Sequence, residues 1–303
     1  MDVKKTNWVN QAVLQDLLKV EPGINFSMKK LHKNISQVYA RGDFSSIRYD
    51  LSETSPGHAD IAVIPEEKGG RDFVRFGFGL YTDFQGDAQF NAIASLRRAW
   101  LNRLDAEWRT DLRLGRDYGI ETEWYQPASL GSEFFVAPFL RLQTNYHDIY
   151  TPTMNKFEYR QREEGGGVEM GSVFGRWGEV RVGVLRTHVS TNAITLPSIA
   201  NQSIQKGGYT LRSTYDQLDS VHFPHQGASA QLSYFHSDKN IGADSEYNRV
   251  DFHGVKAITK GRTTVLVAAH VADDLGSTLP YHESFSLGGL FNVSAYYPHY
   301  LLV

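Results

Sequence analysis

The sequence predicts a mixed fold, in which a small α/β domain precedes an all-β antiparallel barrel of the type that crosses a membrane. Apolar residues recur at helical spacing only near the start of the 303-residue chain. From about residue 71 onward, two-residue alternation replaces that spacing. The alternating segments repeat at about ten residues each, and a tilted strand needs ~9 to 11 residues to cross a bilayer. We place the two domains at residues 1–68 and 69–303.

The first domain is predicted as helix, helix, strand, strand. A first helix ends at the Pro22-Gly23 pair, and Ser27 is a suitable N-cap for a second helix that ends at Gly42. The segments "SSIRYDL" and "DIAVIPE" flank the turn "TSPGH" and indicate a hairpin. Only a stub, residues 2–4, stands where a preceding strand would lie. The apolar face of the first helix is formed by Trp8, Val13, Leu14, Leu17 and Leu18.

The second domain consists of strands with two different faces. In "AEWRTDLRLGRD", Trp108, Leu112 and Leu114 share one face, while the other carries four charged residues of alternating sign. This pattern fits a barrel with a polar interior, and equally a soluble sandwich with one wet face. The glycines of "EEGGGVEMG" are interpreted as relieving crowding where a strand bends.

Repetition favours the barrel. Segments such as "EFFVAPFLRLQTNY" and "WGEVRVGVLRTHV" are longer than the five or six residues usual in globular strands. The connection "WLNRLD" is short, whereas "HDIYTPTMNK" and "TNAITLPSIANQS" are long, an asymmetry typical of outer-membrane barrels. Aromatic residues suited to interfacial girdles lie near strand ends, although they could also fill a soluble β core: Tyr81, Phe84, Trp100, Trp124, Tyr125, Tyr146, Tyr150, Tyr234 and Phe235.

Composition excludes several classes of function. The net charge is -3 with 31 basic and 34 acidic residues interspersed, so no nucleic-acid partner is expected. The chain has no cysteine, which excludes thiolate metal sites and cysteine nucleophiles. Its first residues lack the features of a signal peptide, so if the protein is exported, we expect its export signal upstream of Met1.

No catalytic, cofactor or metal site is predicted. The Gly-x-Ser-x-Gly elbow of serine hydrolases does not occur in the sequence. The eleven histidines show no metal-ligand spacing; the closest pair, His222 and His225, lies in a predicted turn. We therefore expect this chain not to be an enzyme.

The residues resemble a known family. The segment "ISQVYARGDFSSIRYDL", with Tyr39, Gly42 and Phe44, is similar to a polypeptide-transport-associated (POTRA) domain. The remainder resembles the bacterial surface antigen (D15-type) barrel of the BamA/TamA and two-partner secretion superfamily. Within it, residues 73–117 are similar to the barrel of patatin-like phospholipases that carry their own outer-membrane translocator.

Two motifs carry this resemblance in the second domain. The stretch "YDQLDSVHFPHQG" matches a strand-loop-strand signature of the superfamily, with Asp216, Asp219, Phe223, Pro224 and Gly227. The stretch "LGGLFNVSAY" is similar to the tip of a loop that folds back into the barrel lumen. Its residues are Gly288, Gly289, Val293, Ser294, Ala295 and Tyr296. Ser294 stands where the family has an arginine that pairs with wall carboxylates, so this chain lacks the residue for that contact.

The resemblance implies an outer-membrane translocator with its first domain in the periplasm. The expected partners are outer-membrane lipid and an unfolded polypeptide, which would add along the edge of the POTRA-like domain and pass through the lumen. The family has about sixteen strands, an even number, of which we expect 11 or 12 here, so the chain is expected to be a fragment. Charged lumen-wall candidates are Arg75, Glu107, Arg109, Asp111, Arg113, Glu121, Glu123 and Arg141.

Alternatives remain open at this point. The exported polypeptide could be the protein's own patatin-like phospholipase, and the full-length protein would then be defined by a lipid acyl hydrolase activity whose catalytic domain is not in this chain. A passive porin or a soluble β protein would leave the POTRA-like domain and the lumen loop unexplained.

Overall fold

The chain forms two compact units in a computed structural model. The first unit consists of residues 1–75, 95–109 and 124–136, and the second of residues 76–94, 110–123 and 137–303. The structure describes residues 2–18, 27–39, 42–55, 58–82, 88–129, 131–150, 156–175, 177–195, 201–287 and 301–302.

The first unit begins with a three-stranded sheet and two helices. The elements are β1 (Asp2–Val3), α1 (Gln11–Leu18), α2 (Met28–Tyr39), β2 (Phe44–Ser55) and β3 (His58–Glu67). β3 lies in the middle, parallel to β1 and antiparallel to β2. This is the predicted order, including the stub before the first helix.

One prediction for this region is wrong. Trp8 precedes α1 and is not on its face, because Asn10 starts the helix: its side-chain oxygen accepts a hydrogen bond from Ala12 N at 3.0 Å. The second helix ends as predicted, with Gly42 at a φ of +84° and its amide bonded to Tyr39 O at 3.1 Å.

Eleven further strands form one sheet in which each strand neighbours the next along the chain, from β4 to β14. Within the described residues, this agrees with the 11 or 12 barrel strands predicted from the sequence. The neighbouring strands from β9 to β14 run antiparallel to one another. The strands are β4 (Asp72–Thr82), β5 (Ala88–Arg98), β6 (Glu107–Gly115), β7 (Tyr118–Pro127), β8 (Phe134–Tyr150), β9 (Lys156–Phe174), β10 (Gly178–Ala193), β11 (Gln202–Asp216), β12 (Gly227–Ser237), β13 (Tyr247–Lys260) and β14 (Thr263–Asp273).

Several strands are longer than the predicted ten residues. β8, β9 and β10 have 17, 19 and 16 residues. Parts of the two segments predicted as long connections therefore belong to strands. The extra length is polar: Arg160, Arg162 and Glu164 share the even-numbered face of β9 with Val168 and Met170. The strands continue beyond the apolar band that a bilayer would cover.

The glycine run in β9 lies at a crowded place, as predicted. Gly165 has a φ of +155°, and a Cβ there would lie 2.3 Å from Arg186 O. A Cβ on Gly167 would lie 2.3 Å from Val184 O and 2.9 Å from the Phe139 ring. A side chain at either position would push neighbouring backbone apart.

The core of the first unit includes residues from the connection between β5 and β6. Trp100 is 3% exposed and packs edge to face against Trp8, with 6.5 Å between ring centroids. Trp100 therefore does not belong to an exposed aromatic girdle, contrary to the prediction. The buried cluster contains Val3, Val9, Leu14, Leu18, Leu31, Val38, Phe44, Ile61, Val63, Ala99 and Trp100.

The last described residues form a separate pair of short strands. β16 (Leu301–Leu302) pairs with β15 (Ser286–Leu287), not with β14. The two short strands form a sheet of their own. Across the described ranges, helices long and apolar enough to cross a membrane were not found.

Candidate functional site

The sheet β4–β14 has an apolar face that is exposed. On β4, apolar residues alternate with Arg75, Gly77 and Gly79. The exposed fractions of these apolar side chains lie between 54 and 78%: Val74, Phe76, Phe78 and Leu80. On β6 and β7, the rings of Trp108 and Trp124 pack edge to face. On β14, three valine side chains are more than half exposed: Val265, Val267 and Val271. Contiguous exposed apolar side chains of this kind mark a surface that another apolar phase covers.

The opposite side, here called the charged face, carries the predicted wall residues. Alternation places Arg75 on β4, four residues on β6, Glu121 and Glu123 on β7, and Arg141 on β8. Glu107 is buried, and Arg109, Glu121, Glu123 and Arg141 are half-buried. Arg75, Asp111 and Arg113 are exposed.

In the first unit, the charged groups meet at Arg97 of β5. Its guanidinium lies 3.4 Å from Asp43 Oδ1 and 3.6 Å from Glu107 Oε1. Glu107 also accepts a hydrogen bond of 2.8 Å from Arg109, whose guanidinium stacks on the Tyr125 ring at 5.1 Å. The Asp43 side chain is 3% exposed. Because Asp43 directly precedes β2, this cluster links the α/β elements to β5 and β6.

In the second unit, Arg181 of β10 is the centre of the charged face. Its guanidinium lies 2.5 Å from Glu179, 2.6 Å from Glu123 and 3.4 Å from Glu169. The Arg181 side chain is 9% exposed, and that of Glu169 is 3% exposed. A planar guanidinium with five donors can satisfy several carboxylates at once, which a lysine ammonium does less well. On β8, Arg141 donates a bond of 2.7 Å to Glu121.

Strand register explains why this cluster was not found from the sequence. Arg181 and Arg212 stand directly opposite each other on β10 and β11, an arrangement that destabilises a sheet unless the charge is offset. Glu169, on the diagonal on β9, bonds to both arginines. In the sequence, the alternation of Glu179 and Arg181 in "GEVRV" indicates only that these two charges share a face. The contacts of Glu169 and Arg212 depend on how the strands pair.

The segment after β14 lies against the charged face of β11 and β13. Glu283 is buried and accepts a 2.6 Å bond from Lys206 Nζ, and Arg249 donates a 3.2 Å bond to its main-chain oxygen. The Arg249 guanidinium stacks on Phe285 at 4.8 Å. Burial raises the pKa of Glu283, but the Lys206 charge and hydrogen bond outweigh it and hold the pKa below its ordinary value.

The predicted lumen-loop residues follow this anchored segment. Gly288, Gly289, Val293, Ser294, Ala295 and Tyr296 lie outside the described residues. The described part of the same connection ends at β15.

The signature residues of "YDQLDSVHFPHQG" build the turn between β11 and β12. Asp219 Oδ1 accepts from His225 N at 2.8 Å and from Gln226 N at 3.2 Å, while Asp216 accepts from Leu218 N at 3.0 Å. The hydrogen bonds from the His225 and Gln226 amides hold the pKa of Asp219 below its ordinary value. Gly227 has a φ of +103°, and a Cβ there would lie 2.0 Å from Gln217 O. Phe223 is 79% exposed.

The comparisons with known proteins agree with this geometry. The Omp85 superfamily domain matches residues 117–301. No curated protein matches the sequence. Among solved structures, BamA from Haemophilus ducreyi lacking POTRA domains 1-3 is similar, with a TM-score of 0.69 at 12% identity over 98% of this chain and 59% of that chain.

Two further solved structures share the fold. CdiB from Acinetobacter baumannii has a TM-score of 0.58 at 9% identity, over 100% of this chain and 56% of that chain. CdiB from Escherichia coli has a TM-score of 0.56 at 11% identity, over 95% of this chain and 56% of that chain. This chain spans less than two thirds of each of these proteins. The family match covers more than half of the chain and shows that the chain belongs to the Omp85 superfamily.

Proposed function

We propose that this chain belongs to an outer-membrane translocator that exports or inserts an unfolded polypeptide, and that the charged face of its sheet β4–β14 lines a water-filled lumen. The observation that carries the proposal is the division of one sheet into an exposed apolar face and a charged face. Side chains such as Phe78 and Leu80, each 78% exposed, need lipid contact. The paired charges on the other face need water or polar partners.

The charged face suits an extended polypeptide. Its ion pairs present both signs along the wall, so a passing chain meets alternating charge and not one strong field. The buried pairs among Arg181, Glu123 and Glu169 keep these groups occupied with one another. A segment in transit would therefore bind weakly at each point, which favours movement over retention.

The proposal includes the α/β elements as a POTRA domain in the periplasm that receives the polypeptide. In the sheet order β1-β3-β2, β2 is an edge strand, and its twelve residues offer unpaired backbone groups on one side. Addition of a strand along such an edge is a common way to bind extended peptides. The match to BamA covers this region as well.

The lumen assignment is tested by chemical access at two neighbouring positions of β6. The chain has no cysteine, so single cysteines report without background. We expect Arg113→Cys, on the charged face, to react with a water-soluble maleimide in intact outer membranes. Leu114→Cys, 53% exposed on the apolar face, is the matched control and should stay unlabelled in lipid. Equal labelling of both would contradict the proposal.

The role of the β2 edge is tested by cross-linking. A photo-reactive residue in place of Leu51 on β2 should capture an unfolded polypeptide during export. The same residue in place of Ala62 is the control, because Ala62 on β3 is paired with Asp50 of β2 on one side and with Asp2 of β1 on the other. Capture from both positions alike would argue against strand addition.

We further propose that the exported polypeptide is the protein's own patatin-like phospholipase. This finer proposal is supported by the similarity of residues 73–117 to the barrels of that group; the alternative is that hydrolase activity defines the full-length protein. Sequencing the DNA that flanks this reading frame tests both. A hydrolase domain with Gly-x-Ser-x-Gly before residue 1 is expected, and an unrelated reading frame there would overturn the proposal.

A further inference from the structure

Three metal-ligating side chains converge on the charged face where β13 meets β14. His253 and His270 are directly paired across the two strands, and Asp251 lies two residues before His253 on the same face. One possible ligand atom from each residue lies within 4.8 Å of the other two. This site could not be recognised from the spacing of its residues. Asp-x-His and a histidine seventeen residues later become neighbours only through the register of β13 and β14.

Both histidine side chains approach the carboxylate of Asp251. His253 Nε2 lies 2.9 Å from Asp251 Oδ1, and His270 Nε2 lies 3.4 Å from Asp251 Oδ2. The two imidazole rings stack with centroids 3.9 Å apart and an interplanar angle of 17°. The Nε2 edge of both histidines faces one carboxylate, and a rotation of one ring about its χ2 would aim both in-plane lone pairs at a shared ion.

The surroundings permit a cation to enter. The side chains of His253 and His270 are 55% and 36% exposed, while Asp251 is 19% exposed. The positions opposite Asp251 on both neighbouring strands carry small residues, Ser233 on β12 and Ala272 on β14. Small neighbours leave space for an ion and for a water molecule as a fourth ligand.

We propose that Asp251, His253 and His270 form a binding site for a transition-metal ion of the Zn²⁺, Ni²⁺ or Cu²⁺ type. Two imidazole nitrogens and one carboxylate oxygen are the donors that such ions prefer, with an open fourth position for water. Mg²⁺ and Ca²⁺ require oxygen donors and fit this set poorly. A bound ion would join β13 to β14, so it would stabilise this part of the sheet.

The site has a simpler alternative, which the experiment must separate from it. Both histidines could donate Nε2–H to the one carboxylate in a hydrogen-bonded clamp that holds no ion. The clamp and the metal site use the same atoms but predict different responses to added Zn²⁺.

The experiment is a calorimetric titration of the whole chain, folded in detergent, with ZnCl₂. We expect one saturable site per chain that excess MgCl₂ does not displace. His253→Ala and His270→Ala should each weaken Zn²⁺ binding at least about tenfold, since loss even of groups that only orient metal ligands costs ~10- to 100-fold. Asp251→Asn keeps the side-chain size and should weaken binding similarly.

The matched control is a double variant, His222→Ala with His225→Ala, which removes the closest histidine pair in the sequence and should leave the Zn²⁺ titration unchanged. Each variant is first checked for folding by its migration in gels with and without boiling. A wild-type chain that shows no saturable Zn²⁺ binding would establish the hydrogen-bonded clamp and overturn the proposal. Unchanged binding in folded His253→Ala and His270→Ala chains would overturn it too.

Discussion

Arg181 is the residue whose loss should cost the second unit most. It is nearly buried among three carboxylates, and its removal would leave Glu169, with its side chain 3% exposed, paired only with Arg212. Breaking a buried ion pair by removing one partner costs about 3 to 5 kcal/mol. We expect Arg181→Ala to lower the free energy of unfolding by about 3 kcal/mol, measured by urea unfolding in detergent.

The matched control for this prediction is Arg162→Ala. Arg162 bonds to Glu164 at 2.7 Å, but both side chains are about half exposed, at 56% and 44%. Exposed ion pairs contribute about 0 to 1 kcal/mol. If the two variants lost equal stability, the assignment of Arg181 as the centre of a buried cluster would be wrong.

Asp219 should make the β11–β12 turn sensitive to acid. Its folded pKa lies below the ordinary value, so the stabilisation is present above the unfolded pKa of about 3.9 and is lost as the pH falls through the folded pKa. We expect the amides of His225 and Gln226 to be protected from hydrogen exchange at neutral pH and to lose protection below about pH 4. Asp219→Ala should remove this protection at every pH.

His222→Ala, in the same exposed turn, is the control and should leave both amides protected at neutral pH. Protection that persists in Asp219→Ala would show that Gly227 and the backbone pairing hold the turn without the carboxylate. The signature Asp would then have a different role in the family.

At the scale of elements, Arg97 joins the α/β part to β5 and β6. Its contact with Asp43, of which only 3% of the side chain is exposed, crosses from one set of elements to the other. We expect Arg97→Met to leave the buried Asp43 without this partner and to increase proteolysis and hydrogen exchange in residues 42–44 and 67–68. The expected loss is about 3 kcal/mol, as for other broken buried pairs.

The neighbouring Arg98 provides the control for Arg97. Arg98 pairs with Asp72 at 2.6 Å, yet both side chains are at least half exposed. Arg98→Met should therefore leave proteolysis of the α/β part unchanged. Equal effects of the two variants would mean that charge on β5, and not the buried contact, determines how the elements are held.

At the scale of the molecule, we expect the folded sheet to resist unfolding by detergent, as outer-membrane proteins do. Extensive antiparallel pairing and an exposed apolar face favour a structure that resists detergent at room temperature. We expect the folded chain to migrate faster in sodium dodecyl sulfate gels without boiling than after boiling. Identical migration in both conditions would favour a soluble β fold.

The fold of the molecule followed from patterns that repeat along the chain. A two-residue alternation fixes which side chains share a face, so the strands, their number and the charged residues of β6 were predicted from the sequence. Strand ends were less predictable, because β8 and β9 continue past the apolar band with polar residues that resemble a loop. Trp8 and Trp100 were misplaced because each joins a core formed by residues distant in sequence.

The sequence by itself determined the period, the faces and the family of this protein. Only the tertiary structure decided which charges meet, since register sets the neighbours of each residue on adjacent strands. Glu169 serves both Arg181 and Arg212, and Asp251 meets His253 and His270, because pairing brings separate strands together. Short-range periodicity is a property of one segment and can be recognised in the sequence. A site shared by several strands depends on their alignment, and a single sequence does not specify that alignment.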